Sequence, residues 1–135
     1  MLRITLILIL STLPFPSLSL DLNKACEEEI EQKKSLLNKL STSLTEANLA
    51  GQCKGYYGNG LSIYEACEEY IEQENNLLGK LSTSFSESHK AGICMGAIYA
   101  VCNNDNFTSI AERIVARKDK LISKSEIKIT IGCNG

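Results

Sequence analysis

The chain has 135 residues, one histidine, six cysteines and a formal net charge of −2, which bounds it to one small domain or two half-domains. Mild acidity argues against a nucleic-acid binder, which needs a basic face, and leaves room for a basic protein partner. A single histidine and the lack of any Cys-x-x-Cys pair argue against zinc, and no phosphate loop or nucleotide fingerprint is present, so no cofactor is expected.

Residues 1–19 read as a secretory signal. Met1-Leu2-Arg3 is a short basic start, Ile4 to Leu13 is apolar, Pro14 and Pro16 break the run, and Ser17 and Ser19 are the small residues before the cut. The apolar run is about half of the roughly 20 residues that a membrane span needs, and no later segment is a candidate. The mature chain is therefore expected to have no membrane segment and to work in the periplasm, or outside the cell where there is no periplasm. Losing Arg3 leaves 13 basic and 16 acidic side chains.

The mature chain opens on a repeat. Residues 25–53 and 66–94 align at an offset of 41 without a gap, with 18 of 29 positions identical. Each copy begins and ends on a cysteine, Cys26 and Cys53 in one, Cys67 and Cys94 in the other, and Gly55 recurs as Gly96. Each copy is thus one structural unit. An even cysteine count in an exported chain signals disulfides, and six cysteines allow 15 pairings. A unit copied whole brings its own bridge, which predicts Cys26–Cys53 and Cys67–Cys94 and leaves Cys102–Cys133. Each would close a loop of about 27–31 residues, worth roughly 3–4 kcal/mol through chain entropy.

Residues 22–44 have helical spacing, with Cys26, Ile30, Leu37, Leu40 and Leu44 on one face. The glutamates at 27, 28, 29 and 31 form a solvated face near the positive end of the helix dipole. Ser41-Thr42-Ser43 is a turn, and Ser43 with Glu46 makes a capping box for a second helix over 44–57, with Leu44, Ala47, Ala50 and Cys53 inward. The second copy repeats this with Ser84 and Glu87, turning Phe85, Ala91, Cys94, Ala97, Ile98 and Val101 inward. Each copy is therefore a helical hairpin. Between them, Gly55-Tyr56-Tyr57-Gly58-Asn59-Gly60 stops one helix, and Asn59 is placed to cap the next, over 61–82, whose Leu61, Tyr64, Cys67, Ile71, Leu78 and Leu81 share a face.

After Cys102 comes a polar loop, Asn103-Asn104-Asp105-Asn106. Asn106-Phe107-Thr108 is a glycosylation sequon only in a eukaryotic cell and is read here as loop. Ser109 and Glu112 form a further capping box that predicts a helix over 110–122, apolar at Ile110, Ile114, Val115, Leu121 and Ile122 and basic at Arg113, Arg117, Lys118 and Lys120. The tail, Ile127-Lys128-Ile129-Thr130-Ile131, alternates like a strand. It is either an extended segment brought back by Cys133 or a strand that pairs across a dimer. The expected architecture is an all-α, disulfide-bonded domain: a hairpin over 20–57, then a second hairpin with a C-terminal helix and a short extended tail over 58–135.

Catalytic machinery is not legible. His89 stands beside Lys90 on the polar side of a helix, where the first copy has Asn48, and reads as a surface histidine. Carboxylate pairs such as Glu68 and Glu69 are too common to single out, and nothing groups a nucleophile, a base and an orienting residue. The protein is expected not to be an enzyme. Tyr56 and Tyr57 on a glycine-rich joint are better interaction residues, because tyrosine gives contact area at low entropic cost.

Gly58-Asn59-x-Leu61, Cys67, and Cys94-x-Gly96-x-Ile98 resemble the Rap/Tai immunity proteins of type VI secretion. The resemblance covers about 58–133, with Cys102, the helix after it and Cys133 in the family's later places. Ala97 stands where the family usually has an aromatic residue, and the chain closes on Ile-Gly-Cys instead of Phe-Pro-Cys. The resemblance implies a periplasmic, all-helical, disulfide-bonded protein, often a homodimer, that binds a peptidoglycan amidase toxin and blocks its cleft. Partner contacts are then expected on the two loops that join rigid elements, through Tyr56, Tyr57 and Asn59 on one and Asn103, Asn104, Asp105 and Asn106 on the other. The alternative is another exported helical binding module, a ligand carrier or a periplasmic chaperone; a secreted hydrolase is the third class.

Overall fold

The structure is a computed structural model that describes residues 20–34, 43–75, 84–103 and 106–133. The expected signal over 1–19, the turn at Ser41-Thr42, the later part of the first and third predicted helices, and Asn104 and Asp105 lie outside the described residues. Within them the chain is helical, with no strand. In chain order the elements are α1 (Leu22–Lys34), α2 (Leu44–Tyr57), α3 (Ile63–Asn75), α4 (Phe85–Cys102), α5 (Phe107–Ala116), the single-turn α6 (Lys124–Glu126) and a π-helical turn, Ile127–Ile131.

Local chemistry sets the helix starts. The Asp21 carboxylate accepts from the Lys24 amide at 3.2 Å and caps α1. The capping boxes of the two repeats form with the same geometry. The Glu46 amide donates to the Ser43 hydroxyl at 3.2 Å while the Ser43 amide donates to the Glu46 carboxylate at 2.6 Å. Ser84 and Glu87 repeat this at 3.2 and 2.6 Å. The cysteines pair as the duplication predicts: Cys26–Cys53 ties α1 to α2, Cys67–Cys94 ties α3 to α4, both with a 4.9 Å Cα–Cα distance, and Cys102–Cys133 returns the tail to the end of α4.

The two hairpins meet along α2 and α4. Gly51 lies against the His89 carbonyl and Gly92 against that of Asn48; Gly55 lies against the Ile93 carbonyl and Gly96 against that of Gln52. A Cβ at any of these glycines would overlap the facing backbone. Subtracting the repeat offset turns each contact into its mate, so the pairing is pseudo-twofold. Contacts advance together along both helices, so α2 and α4 run parallel and their C-termini share one end. Asn48 Nδ2 donates to the Ser88 carbonyl at 3.2 Å, and in the mate position His89 Nδ1 meets the Ala47 carbonyl at 3.1 Å.

The large apolar side chains lie on the other side of α4. Ile63, Ile98, Ile110, Ile114 and Ile127 are fully buried there with Cys67 and Cys94. α5 crosses this core and is pinned by the Tyr70 hydroxyl, 3.1 Å from that of Thr108. Among its described residues the first hairpin buries Ala25, Ala47, Ala50, Cys53, two glycines and Gln52.

Several sequence expectations fail for identifiable reasons. Leu44 and Phe85, read as inward, are exposed because each is the first residue of its helix and projects past the end. Ile30 is exposed because α1 turns Ala25, Cys26, Glu29 and Gln32 toward α2 instead; Gln32 Nε2 donates to the Glu46 carbonyl at 3.1 Å. α3 starts at Ile63, four residues after Asn59, so Asn59 does not cap it. α5 starts at Phe107, which puts Ser109 inside the helix and not at its cap, and it ends at Ala116 because Lys118 turns left-handed at φ 56°.

The tail is not extended. Ser123 and Glu126 form a capping box that opens α6, with the Ser123 amide donating to the Glu126 carboxylate at 2.7 Å. The helical turn then buries Ile127 and half-buries Ile131, four residues apart, while Ile129 faces out at 85% exposure. Gly132, at φ 73°, ends it. This also removes the strand that would have paired across a dimer. The Arg113 guanidinium, expected on a solvated face, instead donates from Nη1 to the Ile131 carbonyl at 3.0 Å and holds the tail against α5.

The glycine contacts yield a direct prediction. Gly92→Ala should cost about 2–3 kcal/mol in urea unfolding despite the roughly 1 kcal/mol that alanine brings to an unhindered helix. Gly60→Ala, at φ 70° but with open space around it, should cost about 1 kcal/mol. Equal costs would mean that close backbone approach is not what joins the hairpins.

Candidate functional site

The parallel course of α2 and α4 brings the residues after both helices to one end of the molecule. Tyr56 and Tyr57 close α2, their rings edge to face with centroids 4.8 Å apart, and Tyr56 also lies 6.1 Å from Tyr99 on α4. Tyr56 is half-buried by this; Tyr57 is 67% exposed. The α2 helix ends on a hydrogen bond from the Gly58 amide to the Lys54 carbonyl, 2.7 Å. Asn59 then sits exposed on the joint before Gly60 takes a left-handed φ of 70°. Asn103 caps α4 in a left-handed conformation, its amide donating to the Tyr99 carbonyl at 2.8 Å. Asn106 is exposed at the position before α5. The candidate loops therefore follow the ends of two adjacent helices, with the Tyr56–Tyr99 ring contact between those ends.

The structure adds a wall to this surface that the candidate residues did not include. Residues 120–125 lie opposite the 58–63 joint, and the groove between them has a volume of about 560 Å³. Ile63 and Ile122 lie at its base, and both are buried. Lys124 fixes the wall: its Nζ donates to the Tyr56 carbonyl at 2.7 Å and to the Gly55 carbonyl at 3.2 Å. A cation at the C-terminal carbonyls of α2 also meets the negative end of that helix. Partial burial holds the Lys124 pKa below its ordinary value. Leu121, expected inside a helix, stands 90% exposed on the rim, its amide bonded to the Asp119 carboxylate at 3.1 Å. The Ser123-x-x-Glu126 spacing was the available signal for this wall, since it marks a new helix start after α5.

His89 is not a surface histidine. It is half-buried at the hairpin interface, with Nδ1 on the Ala47 carbonyl. Desolvation pushes its pKa down; the Ala47 bond opposes this, Lys54 lowers it further and Glu29 raises it. It serves the joint between repeats, as Asn48 does in the mate position. Glu68 accepts from the Tyr64 hydroxyl at 3.0 Å. Burial, then the nearby Glu87, raises the Glu69 pKa. All six cysteines are in disulfides. Among the described residues no three His, Cys, Asp or Glu side chains group so as to hold a metal ion.

The three disulfides suit an oxidising environment such as export provides. No described helix is long and apolar enough to cross a membrane. No protein-family model, curated protein or solved structure matches the chain. The likeness to the Rap/Tai family thus rests on its motif residues alone. Those residues are mainly structural: Cys67 and Cys94 form a bridge, Gly96 meets the Gln52 carbonyl, and Ile98 is fully buried.

His89 makes stability depend on pH. Its folded pKa lies below the unfolded value of about 6.5, so the unfolded chain takes up the proton first as pH falls. The stability it contributes is complete above that value and is lost as pH falls through the lower, folded one. Urea midpoints should therefore fall from about pH 7.5 to about pH 5.5, above the range of most carboxylates. His89→Asn, which copies Asn48, should flatten the decline; an unchanged decline would remove His89 from this role.

Proposed function

We propose that this chain is an exported binding protein that works by shape, and specifically a periplasmic immunity protein that occupies the cleft of a peptidoglycan amidase delivered by type VI secretion. The observation that carries the reading is the end surface of the α2–α4 pair. There Tyr57 and Leu121 stand exposed on a framework locked by close backbone contact, a lysine bridge and disulfides. A rigid surface loses little conformational freedom on binding, so more of the contact energy appears as affinity. Immunity needs no chemistry from the protector, only that it excludes substrate. The Rap/Tai-like motif supplies the choice of partner class, and the groove with its neighbouring loops supplies the surface.

The test is co-expression of the full chain with periplasm-targeted peptidoglycan amidases of the type VI class, followed by culture turbidity. Lysis should be suppressed for a cognate amidase, and the purified mature chain should release no peptide from peptidoglycan. A chain that hydrolyses peptidoglycan itself would overturn the reading. So would one that binds an apolar dye stoichiometrically and protects against none of the amidases, which is the behaviour of a ligand carrier.

A further inference from the structure

Net charge misdescribes this molecule, because the charge is segregated. Residues 20–112 hold seven lysines against fourteen Asp and Glu, whereas residues 113–135 hold six Lys and Arg against two. The acidic excess lies on the chain that builds the hairpins. The basic excess lies on the short segment that closes the structure and forms one wall of the groove. Within the groove itself the charged lining is two lysines, Lys120 and Lys124, against one glutamate, Glu65.

We propose that the groove between residues 58–63 and 120–125 seats an acidic segment of a protein partner, with one apolar side chain of that segment against Leu121. This rests on the reading of the chain as a protein binder and names the chemistry its partner presents. Lys120 and Lys124 line the groove, and Glu65 is the one acidic side chain among its lining residues. Lys124 is already held: two of the three N–H bonds of its ammonium go to the carbonyls of Gly55 and Tyr56. The third is left for an incoming carboxylate, which meets a cation whose position costs no further ordering. Its partial burial strengthens such a contact relative to one in open water. Leu121 and Tyr57 are among the most exposed large apolar side chains of the described residues. Leu121 stands on the groove's rim and Tyr57 immediately precedes the joint that forms its other wall. Apolar contacts flanked by positive charge suit a segment that alternates carboxylates with an aliphatic residue. An anionic bilayer has the right charge, but it is flat and leaves the recessed base at Ile63 and Ile122 uncovered.

The experiment is a titration of the mature, isotopically labelled chain, followed by amide chemical shifts. The probe is a blocked octapeptide, Glu-Glu-Leu-Glu-Glu-Leu-Glu-Glu. Shifts should saturate and cluster at residues 58–65 and 120–125. Affinity should fall about tenfold with Lys120→Glu and with Leu121→Ser, both exposed enough to leave the fold intact. It should also fall as salt rises from about 0.05 to 0.5 M. Lys128→Glu removes the same charge away from the groove and should change affinity by less than about twofold. The inference is overturned by scattered or absent shifts, by an equal loss with Lys128→Glu, or by undiminished binding of a peptide with serine for leucine. It is also overturned if phosphatidylglycerol vesicles, and not the peptide, move these amides. Suppression of an amidase without groove shifts would sink this inference and leave the immunity reading standing; groove binding with no amidase suppressed would do the reverse.

Discussion

The α2–α4 contact is the constraint on which the rest of the molecule depends. Helices usually pack 8–10 Å apart with side chains interlocked between them. Here four glycines remove the side chains, and each helix meets the other's carbonyl oxygens directly. Such closeness adds dispersion and Cα–H···O contacts along both backbones, each small but summed over two turns. The cost is helix propensity, about 1 kcal/mol for each glycine. The disulfides offset part of that cost by holding α1 and α3 on the outer flanks, so that neither glycine-rich helix must be stable alone. Asn48 and His89 then tie the two helices side by side with one polar bond each.

The pseudo-twofold is broken where the copies face different neighbours. Lys54 and Tyr57 of α2 correspond to Met95 and Ile98 of α4. The first two are exposed and the second two are buried. α4 carries the larger apolar side chains because α5 and the tail cover it. Gln52, the counterpart of Ile93, is buried but polar, and donates to the Asn48 side-chain oxygen at 2.7 Å. The described part of the first hairpin is therefore tied mainly by its bridge and by α4. Duplication supplied a matched interface, and divergence turned the outward side of one copy into core and that of the other into surface.

What the sequence revealed and what it hid follow the same line. Signals confined to a few residues were legible: the Ser43 and Ser84 capping boxes, the glycine-rich joint, and bridges implied by copied cysteines. The glycine contact was half legible. Gly55 and Gly96 were evident as a repeat, but only with Gly51 and Gly92 does the four-residue spacing mark a helix seam. The tail was misread because Ile127, Ile129 and Ile131 satisfy a period of two, while the pair that matters, Ile127 and Ile131, also fits one helical turn. The end of α5 had no sequence signal at all. Leu121 and Ile122 continue the apolar pattern, and only the left-handed turn at Lys118 separates them, burying one and exposing the other.

That separation is what makes the candidate surface. Had α5 continued to residue 122, Lys120 and Leu121 would lie along a helix and the 58–63 joint would face no opposite wall. Instead the chain leaves α5 and turns through Lys118 and Asp119. It is then caught by Lys124, whose ammonium donates to two carbonyls at the end of α2. The lysine thus links the end of the first repeat to the segment that follows the second. The joint where the duplicated hairpins meet and the basic closing segment come together only through the fold, which is why the tyrosines stood out in the sequence and the wall opposite them did not.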